Sequence, residues 1–315
     1  MTRRQAIILL GAAASSSRVH AASVAKSITF ERGLMGTRFA ITCHHPDQKQ
    51  AEAAANAAFD EAERINQVAS DYIADSELLA LSKQPPGEPI VVSPLLFQLL
   101  SEARDLAART DGYFDPTLGP LTKLWRESRR RKALPDAQTL TAARAACGWK
   151  HLILDPAKQT MTFMKPAMRL DLGGIAKGQA ADAMLAVMQK HAIPRSCITA
   201  GGDVRVGDPP PDSNGWQIGV QTGKESGALV LSNCAVSTSG DLHQFIEIGG
   251  TRYSHIIDPA TGLGITRGVT ATVIAPTATV SDALATACCV APGETANAMA
   301  LAAGATKVYL AVLSK

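Results

Sequence analysis

Short strand patterns recur from His151 to Ile274, and a helical stretch at Ile175–Lys190 interrupts them. This mixture constrains the fold more than any other feature. Leu152–Leu154 and Thr160–Met164 flank Asp155-Pro156-Ala157-Lys158, a hairpin signal. Further strand signals fall at Cys197–Thr199, Trp216–Gln221, Ala228–Leu231, Gln244–Ile248, Arg252–Ile257 and Val269–Ile274. Helical periodicity is expected at Val280–Val290 and Thr295–Ala303, with a closing strand at Lys307–Leu313. Upstream, Ser27–Cys43 reads as two strands around a Gly33–Thr37 turn, and residues 51–69 as an amphipathic helix. Ser93-Pro94 reads as a helix start, an N-cap serine with proline in the first turn. Strands and helices mixed in this way over 315 residues argue for an α+β fold.

Composition narrows the function. Hydrophobic residues make up 46% of the chain and charged residues 19%, enough for a real core. The net charge of +3 comes from Arg3, Arg4 and Arg18, in a stretch without acids. Without that stretch the charges balance, so non-specific nucleic-acid binding has no electrostatic support. Residues 1–21 read as an export signal. Arg3-Arg4 precedes the apolar run Ala6–Ala14, and Val19-His20-Ala21 offers a cleavage site. A periplasmic location is expected, by a twin-arginine or Sec route, with no stable membrane insertion after signal removal. The remaining domain spans residues 27–315. Six cysteines without a C-x-x-C pair argue against a disulfide framework or a zinc site.

Five clusters can carry chemistry. Leu170–Gly178 (DLGGIAKG at its centre) reads as a strand end, a glycine turn and a helix start bearing Lys177. That pattern suits phosphate, or simply a structural corner. Ala200–Asp203 is a second glycine pair at a strand end. Ser237–Asp241 places hydroxyls beside glycine, for a phosphate or a capped turn. Tyr253–Pro259 sets His255 on a strand and Asp258 at its end, a spacing that fits acid–base work or a structural histidine. In Ser281–Thr286, Asp282 and Thr286 share one helix face. They could ligate Mg²⁺, or serve the helix dipole and packing. The basic run Arg126–Lys132 reads as a solvated helix end or as a phosphate contact.

Together and in this order the clusters resemble the FAD:protein FMN transferases, the ApbE family. The likeness includes Met35-Gly36-Thr37, Ser70-Asp71-Tyr72, Asp75-Ser76-Glu77 and Gly112–Thr117, and spans roughly residues 30 to 313. It implies a single catalytic unit of mixed strands and helices with a flavin cleft. Met35 and Tyr72 match residues lying against the flavin ring. Tyr113, Phe114, Asp115, Asp171 and Lys177 match the FAD site, with Thr238 and Ile256 in the matching TSGD and SHIIDPATG strings. Gly174, Asp282, Thr286 and the Ala285 carbonyl match metal ligands. His255, and secondarily Asp258, is the expected base.

The implied reaction is Mg²⁺-dependent transfer of FMN from FAD to a threonine of an acceptor flavoprotein, releasing AMP. The acceptor would be an electron-transfer subunit outside the cytoplasm. Hydrolysis of FAD to FMN and AMP is one alternative, and a non-catalytic periplasmic FAD-binding protein is another. The chain departs from the family where an asparagine usually follows Asp-Ser-Glu, here Ser82 or Lys83. It departs again at Ile198-Thr199-Ala200, where a hydrophobic-asparagine pair usually leads into the Gly-Gly-Asp cluster.

Overall fold

The computed structural model describes residues 26–222, 225–241 and 244–312. The expected export segment, residues 1–21, lies outside them. In chain order come β1 (Lys26–Leu34), β2 (Thr37–His45), α1 (Gln48–Ala69), α2 (Glu77–Leu81), β3 (Ile90–Val91), α3 (Pro94–Arg109), α4 (Gly119–Arg131) and α5 (Ala137–Ala145). Then follow β4 (Leu152–Asp155), β5 (Thr160–Phe163), α6 (Ala176–Lys190), β6 (Ser196–Ala200), β7 (Asp203–Val206), β8 (Trp216–Thr222), β9 (Glu225–Leu231) and β10 (Ala235–Gly240). The chain continues through β11 (Phe245–Ile248), β12 (Thr251–Ser254), β13 (Val269–Ala275), α7 (Ala278–Val290), α8 (Gly293–Ala302) and β14 (Lys307–Val312).

An antiparallel sheet ordered β1-β2-β6-β7-β10-β13-β14 forms the frame. Against it α1 lays a small-residue stripe of Ala51, Ala54, Ala55, Ala58 and Ala62, with Phe59 and Ile65, all buried. Small side chains let α1 and α6 approach closely, and Met184, Leu185 and Met188 of α6 fill the space between them. α7 packs over β10 and β13 and joins a second core with α3 and α8. The β8–β9 hairpin packs Ile218, Val220 and Leu229 against Val236 and Ile274 of the sheet. Both faces of β13 are thus covered, and every residue of that strand is buried. The architecture is the expected α+β unit.

Local signals explain most element ends. Ser93 accepts a hydrogen bond from the Leu96 amide at the start of α3. Met35 and Gly36 close the β1–β2 hairpin with φ of 48° and 72°, the left-handed pair a two-residue hairpin turn demands. Two expectations are corrected. Leu170–Leu172 is not a strand, and only an isolated bridge joins Leu118 to Arg169. Asp171 bends the chain there, donating its amide to Pro116 O and accepting from Gly173 N. His255 lies just past β12, whose pairing with β11 ends at Phe245–Ser254. Ser254 N donates to Ile265 O instead, and the chain turns through Asp258 and Gly262.

One edge of the sheet, across the ends of its strands, gathers two turns and two strand ends. The β1–β2 turn, the β6–β7 turn at Gly201-Gly202, the end of β10 and the start of β13 all meet there. Among the described residues no helix is long and apolar enough to cross a membrane.

Candidate functional site

A cleft of about 1120 Å³ opens along that sheet edge. The start of α6 and the cavity-facing side of α4 complete its wall. Its acidic end is built by two helices that nearly touch. A Cβ on Gly178 would lie 2.2 Å from Ala278 O, so only glycine allows the start of α6 to cross the start of α7. Asp182 fixes the crossing. Its carboxylate accepts from Ala278 N, Thr279 N and Thr279 Oγ1 at 2.9, 2.8 and 2.7 Å, and from Arg205 Nε at 2.8 Å.

That crossing delivers Asp282 to the glycine corner. Gly178 N donates to Asp282 Oδ2 at 3.1 Å, and Lys177 Nζ lies 3.3 Å from the same oxygen. Lys177 Nζ also stands 3.4 Å from Asp203 Oδ2, which is buried and has no hydrogen-bond partner among the described residues. Burial, and then the charge of Asp203, push the Asp282 carboxyl up to about 7 against the pull of Lys177. Lys177 is held above the ordinary lysine range, because the two carboxylates outweigh its own burial. Gly174 sits beside Thr286, whose Oγ1 would be 3.3 Å from a Cβ placed there, and Thr286 Oγ1 is 3.4 Å from Ser239 Oγ.

Another part of the wall is apolar and aromatic. Met35, Tyr72, Ile73, Tyr113 and Phe114 form it, Tyr72 is 76% exposed, and Phe114 reaches the glycine corner beside Gly174 and Thr286. The Arg126 guanidinium stacks on the Tyr72 ring at 4.2 Å and pairs with Asp71 and, at 3.2 Å, Asp171. Asp71 is raised by burial and by Asp171, with Arg126 opposing. Asp115 accepts from Thr117 N, Thr117 Oγ1 and Trp149 N, so its oxygens hold the turn that presents Tyr113 and Phe114.

His255 lines the cleft. Its Nδ1 is 3.1 Å from Gln244 O. A carbonyl only accepts, so Nδ1 carries the proton and Nε2 keeps its lone pair. Burial lowers its pKa; the hydrogen bond to Gln244 O opposes this, Arg129 and Lys177 lower it further, and Asp241 raises it slightly.

The structure therefore brings together Met35, Tyr72, Tyr113, Phe114, Asp115, Asp171, Gly174, Lys177, Thr238, His255, Ile256, Asp282 and Thr286 around one cavity. Asp258 and Ala285 do not line it. The Asp258 carboxylate accepts from Ala260 N within its own turn, and Ala285 is buried among apolar side chains. Asp203, Asp71, Arg126 and Arg129 also line it; the sequence marked them only as part of a glycine cluster, of the family likeness and of a basic run read as a solvated helix end or a phosphate contact, and assigned none of them individually to the site. A glycine pair leading into Asp203 was the visible signal for the first. Thr122, Trp125, Arg126 and Arg129, at helical spacing on α4, were the signal for the arginines.

The fold and the cleft define a class: a single α+β unit with one cavity of about 1120 Å³ whose wall combines aromatic and apolar side chains with carboxylates and hydroxyls. The family model described as the ApbE family matches residues 35–310, and the chain belongs to that family. The FAD:protein FMN transferase of Treponema pallidum is 36% identical over 68% of this chain and 64% of its own length. That of Vibrio cholerae is 33% identical over 76% of this chain and 73% of its own. The Pseudomonas stutzeri flavinyl transferase ApbE superposes with a TM-score of 0.83 at 26% identity, covering 93% of both chains. The flavin transferase ApbE of Vibrio cholerae gives 0.79 at 30%, covering 91% of this chain and 93% of its own.

Proposed function

We propose that the protein transfers the FMN half of FAD to a threonine hydroxyl of an acceptor protein and releases AMP. The observation that carries this reading is the 3.3 Å approach of Lys177 to Asp282. It joins the glycine corner and the late helix in the cleft that also holds Tyr72 and His255. A fold that kept those elements apart would have ended the proposal.

The flavin lies against Met35 and Tyr72, whose thioether and ring suit an apolar, polarizable partner. The pyrophosphate crosses the middle of the cleft. The donors at the acidic end fit a divalent cation. They are all oxygens, and the buried Asp203 Oδ2, paired only with the Lys177 ammonium and with no hydrogen-bond partner among the described residues, belongs to the same end. Asp282, Thr286, the Gly174 carbonyl and Asp203 would hold Mg²⁺, with the Ala285 carbonyl implied by the family likeness. Among the described residues no cluster of three or more His, Cys, Asp or Glu could hold a metal, and this set has two carboxylates, completed by hydroxyl and carbonyl oxygens. A bound cation supplies neutralising charge beside the phosphate oxygens.

The chain's own residues do the rest. Nε2 of His255 takes the proton of the acceptor threonine as its oxygen forms a bond to the FMN phosphorus. The anhydride P–O bond breaks, and its electron pair leaves with AMP. Lys177 faces the charge that develops on the leaving phosphate. Residues 1–21 direct the protein to the periplasm, where the acceptor would be an electron-transfer subunit.

Incubation of purified protein with FAD, MgCl₂ and a candidate acceptor tests the reading by intact mass. A gain of one FMN on the acceptor supports transfer. Free FMN alone means hydrolysis, and intact FAD means a carrier. Either of the last two outcomes ends the proposal.

A further inference from the structure

A charge inventory of the cleft wall leaves one cation over. Asp203 and Asp282 face Lys177. Asp71 and Asp171 share Arg126. Asp115 is satisfied by two amides and a hydroxyl. The remaining charged side chain of the wall is Arg129, half-buried on α4, with no carboxylate partner among the described residues. The following arginines turn outward, where Arg130 and Arg131 pair with Glu127.

The position of Arg129 is set by its helix. One turn earlier, Trp125 is buried, donates from Nε1 to Ser254 O at 3.0 Å, and meets the Tyr253 ring edge-on at 5.5 Å. Gly264 admits the indole: a Cβ there would stand 2.8 Å from it. The contact locks α4 to the strand that ends just before His255. Residues four apart share a helix face, so Arg129 points along the cleft from that anchor. The lowering influence of Arg129 on His255 agrees with this placement.

We infer that Arg129 is a substrate-binding residue that contacts a phosphate oxygen of the dinucleotide beside His255. The inference rests on the functional reading above and assigns the anion-recognition role to this side chain. The wall carries five carboxylates against three cations. A polyanionic substrate entering such a cleft needs a cation not already spent on an acid. A guanidinium supplies that charge with directional N–H donors matched to phosphate. Lodged in the wall rather than on an outer loop, it faces the ligand within the cleft before it faces an acceptor protein.

The test compares FAD with riboflavin, which carries the same ring and no phosphate, by flavin fluorescence titration in MgCl₂. Arg129→Gln is expected to weaken FAD binding by about tenfold or more, the scale of one lost charged hydrogen bond. Riboflavin binding should stay within about twofold of the unaltered protein, since no charged contact to it is lost. Arg129→Lys should recover part of the FAD affinity, and NaCl should weaken FAD binding less in Arg129→Gln than in the unaltered protein. Equal loss for both flavins would place the effect at the ring pocket and overturn the inference. Unchanged FAD binding would overturn it too, including where only the KM for the acceptor rises. If the unaltered protein binds neither flavin, the functional reading itself falls, a result distinct from either of these.

Discussion

His255 and Met35 show how single residues are tuned. The His255 proton sits on Nδ1, tied to Gln244 O, and burial keeps the ring neutral below the ordinary value of 6.5. A base is active when unprotonated, so transfer should persist as pH falls through 6.5 and decline only below it. The same lowered pKa means that the unfolded chain takes up a proton first on acidification. This group therefore subtracts stability as pH drops below 6.5. A pH profile of kcat/KM checks the first statement: an acid limb at or above 6.5, retained in His255→Gln, would rule out the assigned role. Met35 occupies the left-handed region at φ 48°, which costs a non-glycine residue roughly 1 kcal/mol. Its thioether lines the cleft, so the strain is kept where ligand contact can use it. Asparagine tolerates that backbone better. Met35→Asn should hold or raise the melting temperature while weakening FAD binding several-fold. A variant that loses stability and keeps its flavin affinity would contradict this.

At the scale of elements, the α6–α7 crossing does most to make the site. Neither helix brings a complete donor set. α6 offers Lys177 and the Gly178 amide, and α7 offers Asp282 and Thr286. Asp182 and Gly178 hold the two starts together, by hydrogen bonds and by the absence of a side chain. Gly178→Ala would push a methyl group into Ala278 O. Overpacking of this kind costs about 1–3 kcal/mol, and here the strain falls on backbone. The variant should melt several degrees lower and lose transfer activity beyond what its residual folded fraction explains. Normal activity at normal stability would mean that the helices separate without consequence. The same crossing was half visible in the chain. The glycine corner and the Asp282/Thr286 pair each stood out. Their contact could not be seen, because residues 178 and 282 meet only through packing.

For the whole molecule, the cleft draws on the hairpin turns of the sheet, on α4, and on the α6–α7 pair, so ligand binding couples parts distant in sequence. Binding to the folded state alone raises stability by mass action. MgCl₂ and FAD together should therefore raise the melting temperature more than the sum of their separate effects, since in the proposed reading the anhydride and the cation would meet at Asp282. Asp282→Ala should abolish the Mg²⁺-dependent part of the shift and stop transfer, with excess MgCl₂ restoring neither fully. Scanning fluorimetry reads the first and acceptor mass the second. An intact Mg²⁺ shift in that variant would remove the metal assignment.

Periodicity, caps and glycine corners are local properties of the chain, written into neighbouring residues, and they determined by themselves the mixed α+β content, the helix that begins at Ser93-Pro94, the β1–β2 hairpin and the five clusters able to carry chemistry. Partnership is not local. That Asp203 joins Asp282 at Lys177, that Arg126 is spent on Asp71 and Asp171 while Arg129 meets no carboxylate among the described residues, and that Asp258 turns away from the cleft were decided by the tertiary structure. Each depends on distances across the fold, where burial and charge act through space and sequence separation carries no information.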